Sequence, residues 1–241
     1  MFCLSNYIKA REMAVASHAD DEGWSVVSTK RNVVPTPAML HKLKRGMFNL
    51  SDSSEVIVNS VNASSSTYRL PSYLRETNYD SLFVLGIGPF GSSIISKTQL
   101  VLARQLLTCC KPRLAFCYDP VLSLPERSSL IRLGFQFNPD LMIADGKNAL
   151  LFMPHCDKSL YLQVLRDNRH RLDRISLIGN DFRIYALRSS GDEGWLWTEL
   201  CKYISVKGFF VSPALPPETL SDTVFTEFPV EHLKMLASLL C

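Results

Sequence analysis

Four short apolar runs punctuate the stretch between residues 80 and 181, and each closes on glycine or small polar residues: "SLFVLGIG", "RLAFCYDP", "NALLFMPH" and "RISLIGND". Continuous apolarity over so few residues suits strands covered on both faces rather than half-exposed ones. Helical patterns lie between them. In "SSIISKTQLVLARQLLTCC", steps of seven and four place Ile95, Leu102 and Leu106 on one helical face. In "SLPERSSLIRLG", Ser123 and Glu126 have capping-box spacing, Pro125 falls in the first turn, and Gly134 offers a stop. Asp157 is placed to cap "KSLYLQVLRDNRHRL". The alternation predicts an α/β chain: a Rossmann-like three-layer domain with a mainly parallel sheet and right-handed crossovers. "FQF" is a short strand candidate. Further on, "WLWTELCKYI" reads as a helix, "VKGFFVS" as a strand and "VEHLKMLASLL" as a closing helix.

The pattern divides the chain into an N-terminal extension, residues 1–79, and the Rossmann-like domain, residues 80–241. The extension is weakly patterned and expected to be partly flexible, as termini often are. Trp24 in "EGWSVVSTKR" marks a strand or an anchoring segment, and the serine-framed "SDSSEVIVNSVNASSS" fits helix or strand equally well. Lys30, Arg31, Lys42, Lys44 and Arg45 form a basic segment without acids, which reads first as a solvated arm and second as a contact for a phosphate-rich partner. At 241 residues and 46% hydrophobic, the chain can bury one large core. A net charge of +3 gives no strong field toward nucleic acid. Seven scattered cysteines without a C-x-x-C argue against a zinc ribbon or a thioredoxin motif and suit a reducing compartment. No signal-like start and no apolar run of about 18 residues is present. The expectation is a soluble protein of the cytoplasm or nucleus, with no membrane partner.

In an open parallel sheet, ligands lie beyond the carboxyl ends of the strands. Those ends carry Gly86, Gly88, Gly91 and Ser92, then Asp119, then His155 and Cys156, then Gly179 and Asn180. If the strands run parallel, all nine share one rim and are the candidate cofactor-binding residues. The glycines have G-x-G-x-x-G spacing, which allows a nucleotide or a similar cofactor at a helix N-terminus, with Asp119 accepting from ribose. Three features favour a tight turn instead. Pro89 removes a donor, Phe90 is bulky, and Asp119 lies 28 residues past Gly91 rather than about 20. His155–Cys156 has base and nucleophile chemistry, yet neighbouring residues seldom aim at one atom, so a structural role is favoured. No catalytic residue and no metal ligand is nominated: G-x-S-x-G, the Walker lysine and H-E-x-x-H are all absent.

Taken in order, "LFVLGIGPFGSS", "YDP", "MPHC" and "LIGNDF" resemble the signature of the Sensitivity-to-Red-light-Reduced family. The likeness runs over about residues 79 to 187, with "EGWSVVSTKR" upstream and "FPVEHLKML" near the end resembling further family segments. Its signature positions are Gly86, Gly88, Phe90, Ser92, Asp119, Pro120, His155, Cys156, Gly179 and Asn180. The resemblance implies a regulator rather than a known catalyst, acting in circadian-clock gene regulation and in regulation of haem biosynthesis. It supplies no catalytic residues. The alternative is a small-molecule-binding enzyme that takes a nucleotide or S-adenosylmethionine through the glycine loop and the strand ends. The cofactor, the protein partner and the ligand are left open.

Overall fold

The computed structural model describes residues 54–64, 68–137, 146–209, 215 and 217–241. The stretch around Trp24 and the basic segment from Lys30 to Arg45 lie outside the described residues. The serine-framed stretch, ambiguous on sequence, contains a helix over 54–64 (α1).

Six strands form one sheet: β1 (Ser81–Leu85), β2 (Leu114–Tyr118), β3 (Ala149–Met153), β4 (Ile175–Asn180), β5 (Ser205–Gly208) and β6 (Thr223–Glu227). Their spatial order is β2-β1-β3-β4-β6-β5. The first four are mutually parallel, as the apolar runs predict. β6 runs antiparallel between β4 and β5, so the sheet is mixed. "FQF" contributes a single parallel bridge, Gln136 to Phe116, beyond β2. The remaining helices are α2 (Ile94–Cys110), α3 (Leu124–Arg132), α4 (Lys158–Asp167), α5 (Phe182–Arg188), α6 (Gly191–Leu200) and α7 (Leu233–Leu239). Sequence patterning found neither β6 nor α5. Among the described residues no helix is long and apolar enough to cross a membrane.

Alternation along each strand sends successive side chains to opposite faces. Leu82, Val84, Ala115, Cys117, Leu150, Phe152 and Ile178 join a core with Leu102 and Leu106 of α2, Leu130 of α3 and Val61 of α1. Phe83, Leu85, Leu151, Met153 and Leu177 join the opposite core with Tyr161 of α4, Trp197 of α6 and Leu236 of α7. Both faces of β1, β3 and β4 are thereby covered, which is why their sequences show no polar alternation. Residues before Asp80 take part as well. Leu74 is fully buried, and the Gln105 amide on α2 donates to the Tyr68 carbonyl at 2.8 Å.

Helix starts follow the expected chemistry. Ser123 caps α3 in a capping box with Glu126, and Pro125 sits in the first turn. Ser93 caps α2, its side chain accepting from the Ser96 N–H. Asp157 is the N-cap residue of α4. Asp181 caps α5 by accepting from the Arg183 N–H, so the Asn180–Asp181 pair links a strand to a helix.

Gly179 shows how tightly α4 sits on the sheet. A Cβ there would lie 2.5 Å from the Tyr161 hydroxyl. Gly179→Ala should therefore destabilise the fold by about 2–3 kcal/mol in urea denaturation, the cost of overpacking a filled core. Gly208→Ala, in β5 with nothing within 4 Å of the new carbon, should stay within about 0.5 kcal/mol of the parent. Equal effects at the two positions would refute this account of the packing.

Candidate functional site

Parallel alignment puts the carboxyl ends of β1, β2, β3 and β4 on one edge, and with them Gly86, Gly88, Asp119, His155, Cys156 and Asn180. The contacts among these residues define the rim. Asp119, 3% exposed, spends one carboxylate oxygen on the Gly88 N–H at 2.9 Å and the other on the Val121 N–H at 3.0 Å. It therefore ties the loop after β1 to the loop after β2. Glu126, 5% exposed, makes a second tie: Oε1 accepts from the Gly91 N–H at 2.7 Å, and Oε2 from the Ser123 N–H and hydroxyl at 2.8 and 2.7 Å. Arg127 braces the β2–α3 loop from outside, donating to the Leu122 and Pro120 carbonyls at 2.9 and 3.4 Å.

The glycines are needed where chain meets chain. Gly86 has φ +66°, and a Cβ there would lie 2.6 Å from the Cys156 Sγ. Gly88 has φ +73°, and a Cβ would lie 2.8 Å from the Ser96 Oγ. Left-handed backbone and close approach both select glycine at these two positions.

A separate cluster fixes the turn after β3. His155 itself has φ +58°, an uncommon conformation for a non-glycine residue. Its N–H donates to Asn180 Oδ1 at 2.9 Å. Asn180 Nδ2 donates to the Tyr185 hydroxyl at 2.7 Å and to the Cys156 carbonyl at 3.3 Å. The His155 Nε2 lies 2.9 Å from the Thr219 carbonyl. A carbonyl can only accept, so Nε2 carries the proton in this arrangement. The Gln99 amide donates to the same carbonyl at 3.3 Å. Cys156 is buried, with its thiol directed at the Leu85 carbonyl at 3.4 Å. His155 and Cys156 thus point to different partners, as expected of adjacent residues. The Cys156 thiol thus packs against Gly86 at the end of β1, and the Thr219 carbonyl joins Gln99 of α2 to His155.

Tyr161 lies beneath this cluster. Its hydroxyl donates to the Met153 carbonyl and accepts from the Asn180 N–H at 2.9 Å. Burial pushes its phenol well above the ordinary range. Burial also raises Tyr185, to about 12, against the opposing pull of its hydrogen bond from Asn180. Burial is likewise the first cause of the raised Cys117 thiol.

Space remains on the β2 side. A cleft of about 720 Å³ is bounded by Pro89, Gly91 and Ser92 of the glycine loop, by Val121, Ser123, Pro125 and Glu126 after β2, and by Val56 and Ile57 of α1. Of the nine rim residues singled out on sequence, Gly91 and Ser92 border it. Gly86, Gly88, Asp119, His155, Cys156, Gly179 and Asn180 instead form the braced structure beside it. Sequence reasoning gave Glu126 only a helix-capping role and passed over Tyr161, Tyr185 and Thr219. The capping-box spacing was a usable signal for Glu126. The other three have no local signature.

The residues from 57 to 229 match the SRR1 domain model. The chain belongs to the SRR1 domain family. Among similar SRR1-domain proteins, SENSITIVITY TO RED LIGHT REDUCED 1 of Arabidopsis thaliana is 40% identical over 80 residues, 31% of this chain and 29% of that protein. An SRR1-like protein of Mus musculus is 32% identical over 106 residues, 41% of this chain and 43% of that protein. The chain therefore matches less than half the length of either SRR1 relative. No solved structure matches.

Two measurements check the site. Asp119→Ala should cost about 2–4 kcal/mol, because two backbone donors lose a charged acceptor. Asp119→Asn should cost nearly as much, since its amide nitrogen cannot accept from the second N–H; a silent Asn variant would contradict the double tie. The second measurement is alkaline stability. Unfolding exposes phenols that ionise near 10, while the folded Tyr185 holds its proton to about 12. The stability from this group is complete below pH 10 and falls as pH rises from 10 to 12. Tyr185→Phe should flatten that fall in denaturation curves across the same window.

Proposed function

We propose that this SRR1-domain chain is a regulatory protein of the light response and biological rhythm, acting by binding rather than by a catalytic group of its own. The observation that carries this reading is the condition of the rim. Its carboxylates, histidine and asparagine are engaged by backbone and side chains of the same molecule. A general acid or base must reach a substrate proton; the buried Asp119 and Glu126 are turned onto backbone amides instead, and the exposed His155 keeps its Nε2 on the Thr219 carbonyl. Such bracing suits a rigid surface held for a partner or ligand. The name of the Arabidopsis relative supports the link to light.

Control of haem synthesis, the second expectation from the resemblance, would act without direct ligation by His155 or Cys156. The His155 Nε2 is committed to Thr219, and the Cys156 sulfur lies under the Gly86 backbone. The finer fold reading goes with the same proposal: a Rossmann-like domain whose nine rim residues, from Gly86 to Asn180, shape the binding surface.

Cells of the source organism from which the gene has been deleted should show a shifted phase or period in light-entrained transcript rhythms. The intact gene should restore them. Asn180→Ala, which releases the turn at His155, should restore them poorly even where its protein level equals the parent's. Rhythms unchanged by the deletion would remove the basis of the regulatory role.

A further inference from the structure

The glycine loop is where the sequence suggests a phosphate, yet its Gly88 and Gly91 amides already donate to Asp119 and Glu126. Uncommitted donors lie at the other end of α2. There a cleft of about 610 Å³ opens between the last turns of the helix and the chain before β1, with Tyr68, Arg69, Arg75, Gln105, Cys109 and Lys111 on its border. Its three cations come from three separate places. Arg69 precedes the 3-10 turn Ser72–Arg75, Arg75 closes that turn, and Lys111 is the C-cap residue of α2. The segments are fixed against one another, because Leu74 is fully buried and the Gln105 amide donates to the Tyr68 carbonyl at 2.8 Å.

Charge and hydrogen bonding narrow the ligand. No aspartate or glutamate borders the cleft. Arg69, Arg75 and Lys111 are exposed, and among the described residues the side chains of Arg69 and Lys111 have no hydrogen bond or ion pair. Arg75 donates from Nε to the Cys109 Sγ at 3.2 Å, which leaves its two terminal nitrogens available. Arg104 adds a further positive charge at the margin, donating to the Thr108 hydroxyl at 3.4 Å. The carboxyl end of a helix carries only about half a negative charge, so capping α2 does not neutralise three cations. Guanidinium forks match phosphoryl oxygens with paired N–H···O bonds. Two forks and an ammonium suit an anion with oxygens on two linked phosphoryl groups better than a single tetrahedral one. The volume is that of a site for a small ligand.

We propose that this cleft binds a pyrophosphate group, free or carried by a nucleoside, with Arg69, Arg75 and Lys111 as its ligating cations. The inference does not rest on the role in rhythm, and either can fail alone.

Isothermal titration of the full chain with inorganic pyrophosphate, ADP and sulfate tests it. Pyrophosphate and ADP should each bind saturably, with sulfate at least about tenfold weaker, and added salt should weaken both. Tighter binding of ADP would identify a nucleotide as the source of the group, and tighter binding of pyrophosphate the free anion. Arg69→Gln and Arg75→Gln, both at exposed positions, should each weaken binding about tenfold with an unchanged melting transition. Lys234→Gln, exposed on α7 across the sheet, should keep full affinity. Saturating pyrophosphate should also slow alkylation of Cys109 by iodoacetamide, followed by peptide mass spectrometry, and leave the exposed Cys241 unaffected. Absence of saturable heat from both pyrophosphate and ADP at millimolar concentration would overturn the proposal. So would sulfate binding as tight as pyrophosphate, full affinity in both folded glutamine variants, an equal loss in Lys234→Gln, or an unprotected Cys109.

Discussion

A single carboxylate sets the geometry of the rim. Asp119 directly follows β2, and its two oxygens hold backbone amides on two different loops, at Gly88 and at Val121. Charge-assisted bonds of this kind are stronger than neutral ones, and at 3% exposure water competes little for them. With these loops fixed, Glu126 can reach Gly91, and the first turns of α2 and α3 stay at a set separation. The cleft between the loops is therefore a consequence of two inward-facing acids.

The second half of the rim uses neutral hydrogen bonds for the same end. Asn180 accepts from His155 and donates to Tyr185 and Cys156, so one amide coordinates three groups across β3, β4 and α5. Tyr161 continues the chain beneath it, linking the Asn180 N–H to the Met153 carbonyl. Polar networks of this type rigidify a turn when every member is satisfied. His155 takes left-handed backbone within this network, and its N–H donates there to Asn180 Oδ1.

How much of this was legible in the sequence depends on distance along the chain. The four parallel strands announced themselves because burial on both faces leaves an uninterrupted apolar run, as in "LFVL" and "ALLFM". The caps at Ser93, Ser123 and Asp181 act within three residues and leave a local imprint. β6 left none. "TVFTE" buries Thr223, Phe225 and Thr226 on an antiparallel strand, and two threonines do not read as core. α5 has seven residues and one buried side chain, too little for a helical period. The rim was placed correctly as a set of strand ends, but pairings such as His155 with Asn180 and His155 with Thr219 join residues 25 and 64 positions apart, which no spacing rule encodes. Asp119 shows the difference. An acid at that strand end suggested contact with a ribose, and the structure instead gives both of its oxygens to the protein's own amides.

The order of the strands has a consequence for synthesis. Among the described residues, β5 lies at the far edge and pairs only with β6, which comes later in the chain. On a ribosome the residues from Ser205 to Gly208 emerge with no neighbour to pair with, and they wait until Glu227 has left the exit tunnel. Premature termination anywhere in that interval would release a nascent chain with the flank of β4 bare, an adhesive edge that quality-control proteases and chaperones must handle.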